Sequence, residues 1–319
     1  MCSIMNKPLV SIIVPCYNEE QTIPIFYKVL TQTLEKAKFN ANLEIIFVND
    51  GSRDKTLSLI KNLQKQDPKR VHYISFSRNF GKEGAMLAGM RFCHGDYATI
   101  MDADLQDPPE ILPKMLALLQ DPNNDYDVIA TRRADRKHEN IIRSKMSHAF
   151  YKVINQISEI KLTPDERDFR LMKRKVINAF LELPEYDRFT KGIFAWIGFN
   201  VKYLSYPDHK RVAGKSKFSI WALIKMALGG ILNFSQIALD IASWIGFIFC
   251  LLAFVAIIWL IVRKCLDPSI ALRGWTSLAS LILLVSGVQL FCVGIIGKYL
   301  GKMYDQTKHR PNYIISEKK

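Results

Sequence analysis

Cysteine is scarce and scattered. The six thiols lie at positions 2, 16, 93, 250, 265 and 292, with no CxxC pair, and two fall within apolar runs. That argues against a disulfide framework and against a zinc site, and it suits a reducing compartment for the polar part. Zinc-finger spacing, an RNP-like aromatic motif and a long block of consecutive basic residues are also missing. The formal charge of +14 therefore points away from nucleic acid, toward an anionic membrane surface or a phosphate-rich substrate. No repeat and no low-complexity segment stands out. Residues 1–7 are polar and the apolar run 9–14 is short, so no signal peptide is expected.

Charge is distributed unevenly. Nearly all of it precedes Ser235, and two long apolar runs follow. Residues 241–262 carry no charge over 22 positions, about 33 Å of helix, enough for a hydrocarbon core of about 30 Å. Residues 275–296 form a second such run, with Gln289 as its most polar side chain. Two transmembrane helices joined by a short loop, 263–274, are expected. That loop holds Arg263, Lys264 and Arg273, but the tail and the polar domain hold more cations, which places both on the cytosolic side. Residues 217–234 read either as an amphipathic interfacial segment or as a core helix.

Before the spans, strand-like and helix-like stretches alternate. Strands are expected at 10–14, 43–48, 71–76, 97–101 and 127–131. Helices are expected at 23–36, 54–66 (with Ser52 or Asp54 as N-cap), 84–93 and 109–119. This is the pattern of a doubly wound α/β fold, whose ligands bind beyond the carboxyl ends of the strands. Further on, 139–160 predicts a helix with Arg143, Ser147 and Tyr151 on one face. A strand at 168–172, helices at 173–183 and 189–198, and a strand at 201–206 follow.

The expected strand ends are polar. One reads Pro15-Cys16-Tyr17-Asn18-Glu19, the next Asn49-Asp50-Gly51-Ser52, the third Asp102-Ala103-Asp104 followed by Gln106. Hard oxygen donors grouped like the last suit Mg²⁺ or Mn²⁺, which in turn hold a diphosphate. Alone, a DxD or an NDGS is more often a solvated turn; its place at a strand end sharpens it. Gly214-Lys215-Ser216 is not a P-loop, because the required first glycine is His209, and no GxGxxG follows the first strand. The Asn233-Phe234-Ser235 sequon sits beside the membrane and reads as chance.

Together these motifs, with Ser77-Arg78-Asn79-Phe80-Gly81-Lys82 and Gln106-Asp107-Pro108-Pro109, resemble family 2 glycosyltransferases of the GT-A fold. Asp168-Phe169-Arg170-Leu171-Met172, Trp196-Ile197-Gly198-Phe199, Arg211-Val212-Ala213-Gly214-Lys215-Ser216-Lys217 and the two spans narrow the resemblance to polyprenyl-phosphate glycosyltransferases. It is greatest to bactoprenol glucosyltransferases and more distant to dolichol-phosphate mannose synthases. The resemblance implies a cytosolic GT-A domain over 1–216, a juxtamembrane segment over 217–240, spans at 241–262 and 275–296, and a cytosolic tail over 297–319. It implies a multi-pass protein of the bacterial inner membrane that forms a homo-oligomer, a tetramer in some relatives. Pro15, Tyr17, Glu19, Asp50, Lys82 and Asp102 would contact a UDP-sugar, and Arg211, Ser216 and Lys217 would close over its phosphates. Asp102, Asp104 and Gln106 would hold the divalent cation, while Arg132, Arg143 and Ser147 would receive the lipid phosphate. Asp168, with Asp104, would stand at the chemistry.

Asp168 matches the usual candidate for catalytic base. A phosphate monoester, however, has its second pKa near ~6 and is largely ionised at neutral pH, so a base has little to remove. Asp168 is therefore expected partly to orient a neighbour, Arg170 or Arg143. The implied reaction is inverting transfer of one hexose, glucose first, with GlcNAc, GalNAc, mannose and aminoarabinose-type sugars open. A processive polysaccharide synthase would need more spans and a QxxRW motif. A non-catalytic sugar-nucleotide binding protein is opposed by the intact Asp102/Asp104 pair. One departure stands out: where relatives often carry Ser-x-x-Pro-Leu-Arg before the first span, this chain reads Ser235-Gln236-Ile237-Ala238-Leu239-Asp240.

Overall fold

The computed structural model describes residues 7–133, 155, 161, 163–164, 166–206, 237–266 and 274–319. Arg143, Ser147, Arg211, Ser216 and Lys217, the 139–160 helix and the 217–234 segment lie outside the described residues.

Among the described residues, one mixed sheet runs in the order β7-β5-β6-β4-β1-β2-β3-β8. Its strands are β1 (Leu9–Cys16), β2 (Asn42–Asn49), β3 (Val71–Phe76), β4 (Tyr97–Ile100), β5 (Val128–Arg133), β6 (Glu166–Lys173), β7 (Val201–Tyr206) and β8 (Ile315–Lys318). β1 is parallel to both β2 and β4, and β2 is parallel to β3. The first four strands thus follow the doubly wound expectation. The fifth does not lie beside β4: β6 is inserted between them, antiparallel to both. β-Branched, apolar stretches such as Val10–Val14 are buried on both faces, as strands covered by helices must be.

Helices cover both faces. On one side, α1 (Ile23–Lys36) buries Ile23, Phe26, Leu30 and Leu34 at helical spacing, joined by α2 (Thr56–Gln66) and α4 (Leu112–Gln120). On the other lie α3 (Lys82–Phe92), α5 (Arg174–Glu182) and α6 (Thr190–Ile197). A side chain on Gly89 of α3 would meet the Ile13 Cγ2 at 2.2 Å, so glycine is what lets α3 press against β1. That contact fixes the height of the α3 N-terminus over the strand ends. Neither expected cap of α2 holds the N-cap position, which falls on Lys55 because the helix starts two residues late; Asp54 Oδ1 instead accepts the Thr56 N–H at 3.0 Å and Ser52 Oγ accepts from Asn18.

Two long helices follow, α7 (Ile237–Leu266) and α8 (Trp275–Thr307), each long and apolar enough to cross a membrane. Their apolar side chains stay largely exposed within the chain; Trp244 is 64% exposed and Leu290 73%. Both helices exceed the expected spans, because each continues past its apolar run into polar sequence. Asp240 falls in the first turn of α7, where the helix dipole favours an acid. The expected tail from 297 is likewise structured. It finishes α8 and then returns as β8, antiparallel to β3.

Candidate active site

The strand arrangement brings the polar turns together. In the antiparallel β4–β6 ladder, Tyr97 pairs with Lys173, Ala98 with Met172 and Thr99 with Leu171. Asp102 lies three residues beyond Thr99 and Asp168 three residues before Leu171, so both carboxylates come from the same end of that ladder. Two carboxylates so placed repel unless a cation lies between them. Lys82, the first residue of α3, fills that place. Its Nζ is 2.7 Å from Asp102 Oδ1 and 2.7 Å from Asp168 Oδ2. Burial would push the Asp168 carboxyl up, but Lys82, Lys191 and Arg170 outweigh it and hold it well below the usual carboxylate range. Burial works against the Lys82 ammonium, yet the two carboxylates keep its pKa above the ordinary lysine value. Of the expected partners of Asp168, Arg143 lies outside the described residues and Arg170 is not the one it pairs with most closely. The direct partner of Asp168 is Lys82, while Arg170 lies buried behind, 3.3 Å from Glu166 and over the Phe194 ring at 4.2 Å.

The turns after β1, β2 and β3 line a cavity of about 390 Å³. Tyr17, Asn49, Gly51, Ser52, Arg53 and Arg78 are among its lining residues. The turns are laced together. Asn18, in the left-handed conformation (φ 52°), accepts the Arg53 N–H and donates its own to Ser52. Gly51 (φ 63°) lies so close to the Arg78 backbone that a Cβ would meet its carbonyl carbon at 2.3 Å. Asp50 does not reach into the cavity as a free acceptor. It is buried, with Oδ1 taking the Phe80 N–H at 2.6 Å and Oδ2 the Gly81 N–H at 3.0 Å. Burial raises its pKa against the pull of those donors. Glu19 similarly holds the Thr22 hydroxyl at 2.7 Å. Pro15 is the penultimate residue of β1 and pairs with Val48 of β2.

The Asp102–Gln106 turn carries strain at Leu105 (φ 56°), an uncommon conformation for a branched side chain and one that clusters at functional sites. Asp104 Oδ1 accepts the Gln106 N–H at 3.1 Å. The donor set there, two carboxylates and an amide, fits a hard divalent cation that shares its coordination with phosphate and water. Among the described residues no three His, Cys, Asp or Glu side chains form a ready-made metal cage. Arg132 is exposed on β5, opposite Glu166, and donates to Ser205 at 2.9 Å, one strand away from Asp168.

Glu83 and Lys191 lie outside the motifs, and Asp107 lies within one that assigned it no role. Glu83, next to Lys82, accepts both the backbone N–H and the hydroxyl of Thr190 at the start of α6. Burial raises its pKa to about 7, with Asp168 adding to the shift. Lys191 donates to the Glu166 carbonyl at 2.6 Å. Asp107 is buried and takes the Tyr206 hydroxyl, which binds the end of β7 to the acidic turn. An acid directly after Lys82 in the first helical turn was visible in the sequence; its partner on α6 was not.

Residues 11–181 match the model of the family described as glycosyl transferase family 2. The chain belongs to this family. It is accordingly a glycosyltransferase, built on the mixed α/β GT-A domain that its motifs implied. A bactoprenol glucosyl transferase of Shigella phage SfV is 39% identical over 310 residues, covering 97% of this chain and 99% of that one. A putative glycosyltransferase, CsbB, of Bacillus subtilis is 39% identical over 98% of this chain and 93% of its own. Among solved structures, glucosyl-3-phosphoglycerate synthase of Mycobacterium tuberculosis, in complex with Mn²⁺, UDP and phosphoglyceric acid, aligns with a TM-score of 0.45. It is 15% identical over 70% of this chain and 76% of that one.

Proposed function

We propose that this glycosyltransferase moves a single hexose, glucose in the first instance, from a UDP-sugar to a polyprenyl phosphate. The observation that carries this is the extent of the match to the phage bactoprenol glucosyl transferase. It spans 97% of the chain, both apolar helices included, and not the sugar-nucleotide domain alone. The 390 Å³ cavity lined by the turns after β1, β2 and β3 is of the size and polarity for a nucleoside.

The chemistry follows from the residues present. An oxygen of the lipid phosphate attacks the anomeric carbon in line; the carbon–oxygen bond to the diphosphate breaks, and UDP departs with the electron pair. The configuration inverts, from an α-linked donor to a β-linked lipid phosphate sugar. Asp102 and Asp104, with Gln106 beside them, would hold Mg²⁺ or Mn²⁺, which supplies positive charge to the leaving diphosphate. Lys82 stands at the same place with a fixed ammonium. Asp168 orients that ammonium, and because the nucleophile is already anionic it need not take a proton. Tyr17 and the turns after β2 and β3 form the nucleoside walls. Arg132, Arg143 and Ser147 complete the reading as the acceptor-phosphate group, and Arg211, Ser216 and Lys217 as the segment closing over the donor.

In this reading the two helices anchor the enzyme in the bacterial inner membrane, with the catalytic domain on the cytosolic face and the protein forming a homo-oligomer. The anchor keeps the strand ends near a lipid surface, where a water-insoluble acceptor presents its phosphate. The test is turnover of a panel of UDP- and GDP-sugars with polyprenyl phosphate by the full-length protein in detergent. UDP-glucose should be the productive donor. If GDP-mannose alone were used, the uridine and glucose assignments would both fall.

A further inference from the structure

β8 does more than close the edge of the sheet. Ile74 pairs with Lys318 and Ser75 with Glu317, but Phe76 then faces Ile315, so Ser316 is the extra residue of a bulge. Bulges re-aim the side chain they carry. Here Ser316 lines the same cavity as Tyr17, Gly51 and Arg78. Its hydroxyl donates to the Ser75 carbonyl at 2.9 Å. The Ser75 hydroxyl in turn accepts the Asn49 amide at 2.9 Å, and Asn49 Oδ1 accepts the Ser52 N–H at 3.2 Å. A connected series of polar contacts therefore runs from the C-terminal strand, through β3 and β2, into the turn that shapes the cavity.

The strand is firmly seated. Tyr73 and Lys319 exchange both backbone hydrogen bonds at 2.9 Å, and Ser77 donates to the Ile314 carbonyl at 3.0 Å. Lys61 pairs with Glu317 at 2.6 Å, and Tyr313 stacks on Phe76 with ring centroids 5.0 Å apart. The end of α8, from which the strand emerges, is itself fastened to the domain. Gln306 accepts the Tyr186 N–H and donates to the Pro184 carbonyl, and Lys302 pairs with Asp187.

We propose that β8 is a working part of the donor site, with Ser316 a positioning residue that holds the Asn49–Ser52 turn in its nucleotide-binding form. The inference rests on the UDP-sugar reading above. It ties the wall of the nucleoside diphosphate pocket to the second apolar helix through a short, structured tail.

The experiment uses full-length protein in detergent, with UDP titrated by calorimetry and deuterium uptake followed at residues 315–318. UDP should slow uptake in β8. Ser316→Ala should weaken UDP binding about threefold to tenfold, the worth of one net hydrogen bond. The same factor should appear in the donor KM, with kcat and the acceptor KM held, and Ser316→Thr should restore it. Wild-type protein that binds UDP without protecting β8, or a Ser316→Ala variant that binds UDP as the wild type does, would overturn the inference while leaving the donor reading intact. Wild-type protein that does not bind UDP would remove the donor reading, and this inference with it.

Discussion

Asp102 and Asp168 share one cation: the Lys82 ammonium sits 2.7 Å from an oxygen of each. Neither carboxylate is close to the other in sequence, and Lys82 comes from a third element. The arrangement sets one ammonium between two carboxylates drawn from separate elements.

Removing that cation should leave the two carboxylates unbalanced. Lys82→Met is expected to lower kcat by about 100-fold or more, the scale for losing a charge aimed at a leaving group. Lys82→Arg should retain a substantial part. Transfer of labelled sugar to lipid measures both, and a Lys82→Met enzyme of normal rate would reduce Lys82 to a structural ion pair.

Asp168→Asn separates orientation from base catalysis. If Asp168 orients Lys82, the variant turns over slowly but keeps the acid limb of its pH–rate profile near ~6, where the acceptor phosphate loses its second proton. If Asp168 is the base, the wild-type limb lies instead at the lowered pKa of that carboxylate, far below ~6, and is lost in the variant.

Glu83 makes a pH-dependent contribution to stability. Its folded pKa is raised from 4.5 to about 7, chiefly by burial. Between these values the unfolded chain releases this proton and the folded chain keeps it. The stability that Glu83 contributes is therefore present below about pH 4.5 and lost as pH rises through about 7. Glu83→Gln keeps an acceptor for Thr190 and should flatten this part of the profile, stabilising the protein at pH 8 by on the order of 1–2 kcal/mol. Thermal unfolding in detergent across pH 5 to about 8 reads it out; parallel curves for variant and wild type would count against a buried, late-titrating Glu83.

Tyr313 carries much of the attachment of the tail, stacked on Phe76 and lying under Arg91 at 5.9 Å. Tyr313→Ala should destabilise the catalytic domain by about 1–2 kcal/mol, with proteolysis beginning near the C-terminus. Unchanged stability and cleavage would mean that β8 is held by its backbone pairing alone.

Much of this was legible in the chain. Strong periodicity bounded α1 at residues 23–36 and strands β3 and β7 at 71–76 and 201–206, as observed. The DxD and NDGS turns fell at strand ends because apolar runs stop where backbone meets solvent. What escaped was adjacency. Nothing in a stretch such as Glu166–Lys173 says that it enters antiparallel between β4 and β5, where Asp168 comes to share Lys82 with Asp102. Ile315–Lys318 is short and half charged, as edge strands often are, so its pattern read as tail. The buried Asp50 illustrates the same gap: its place at a strand end was legible, but not that its two oxygens would each accept a backbone N–H from Phe80 and Gly81.

The most direct test of the proposed reaction is the product made from UDP-[¹³C]glucose and polyprenyl phosphate by the purified full-length enzyme with Mg²⁺ or Mn²⁺. A lipid carrying one glucose, β-linked through C1 to phosphate and formed in equal amount with UDP, is the expected result by NMR and mass spectrometry. Free glucose with UDP, an α-linked lipid, or a lengthening glucan chain would contradict it.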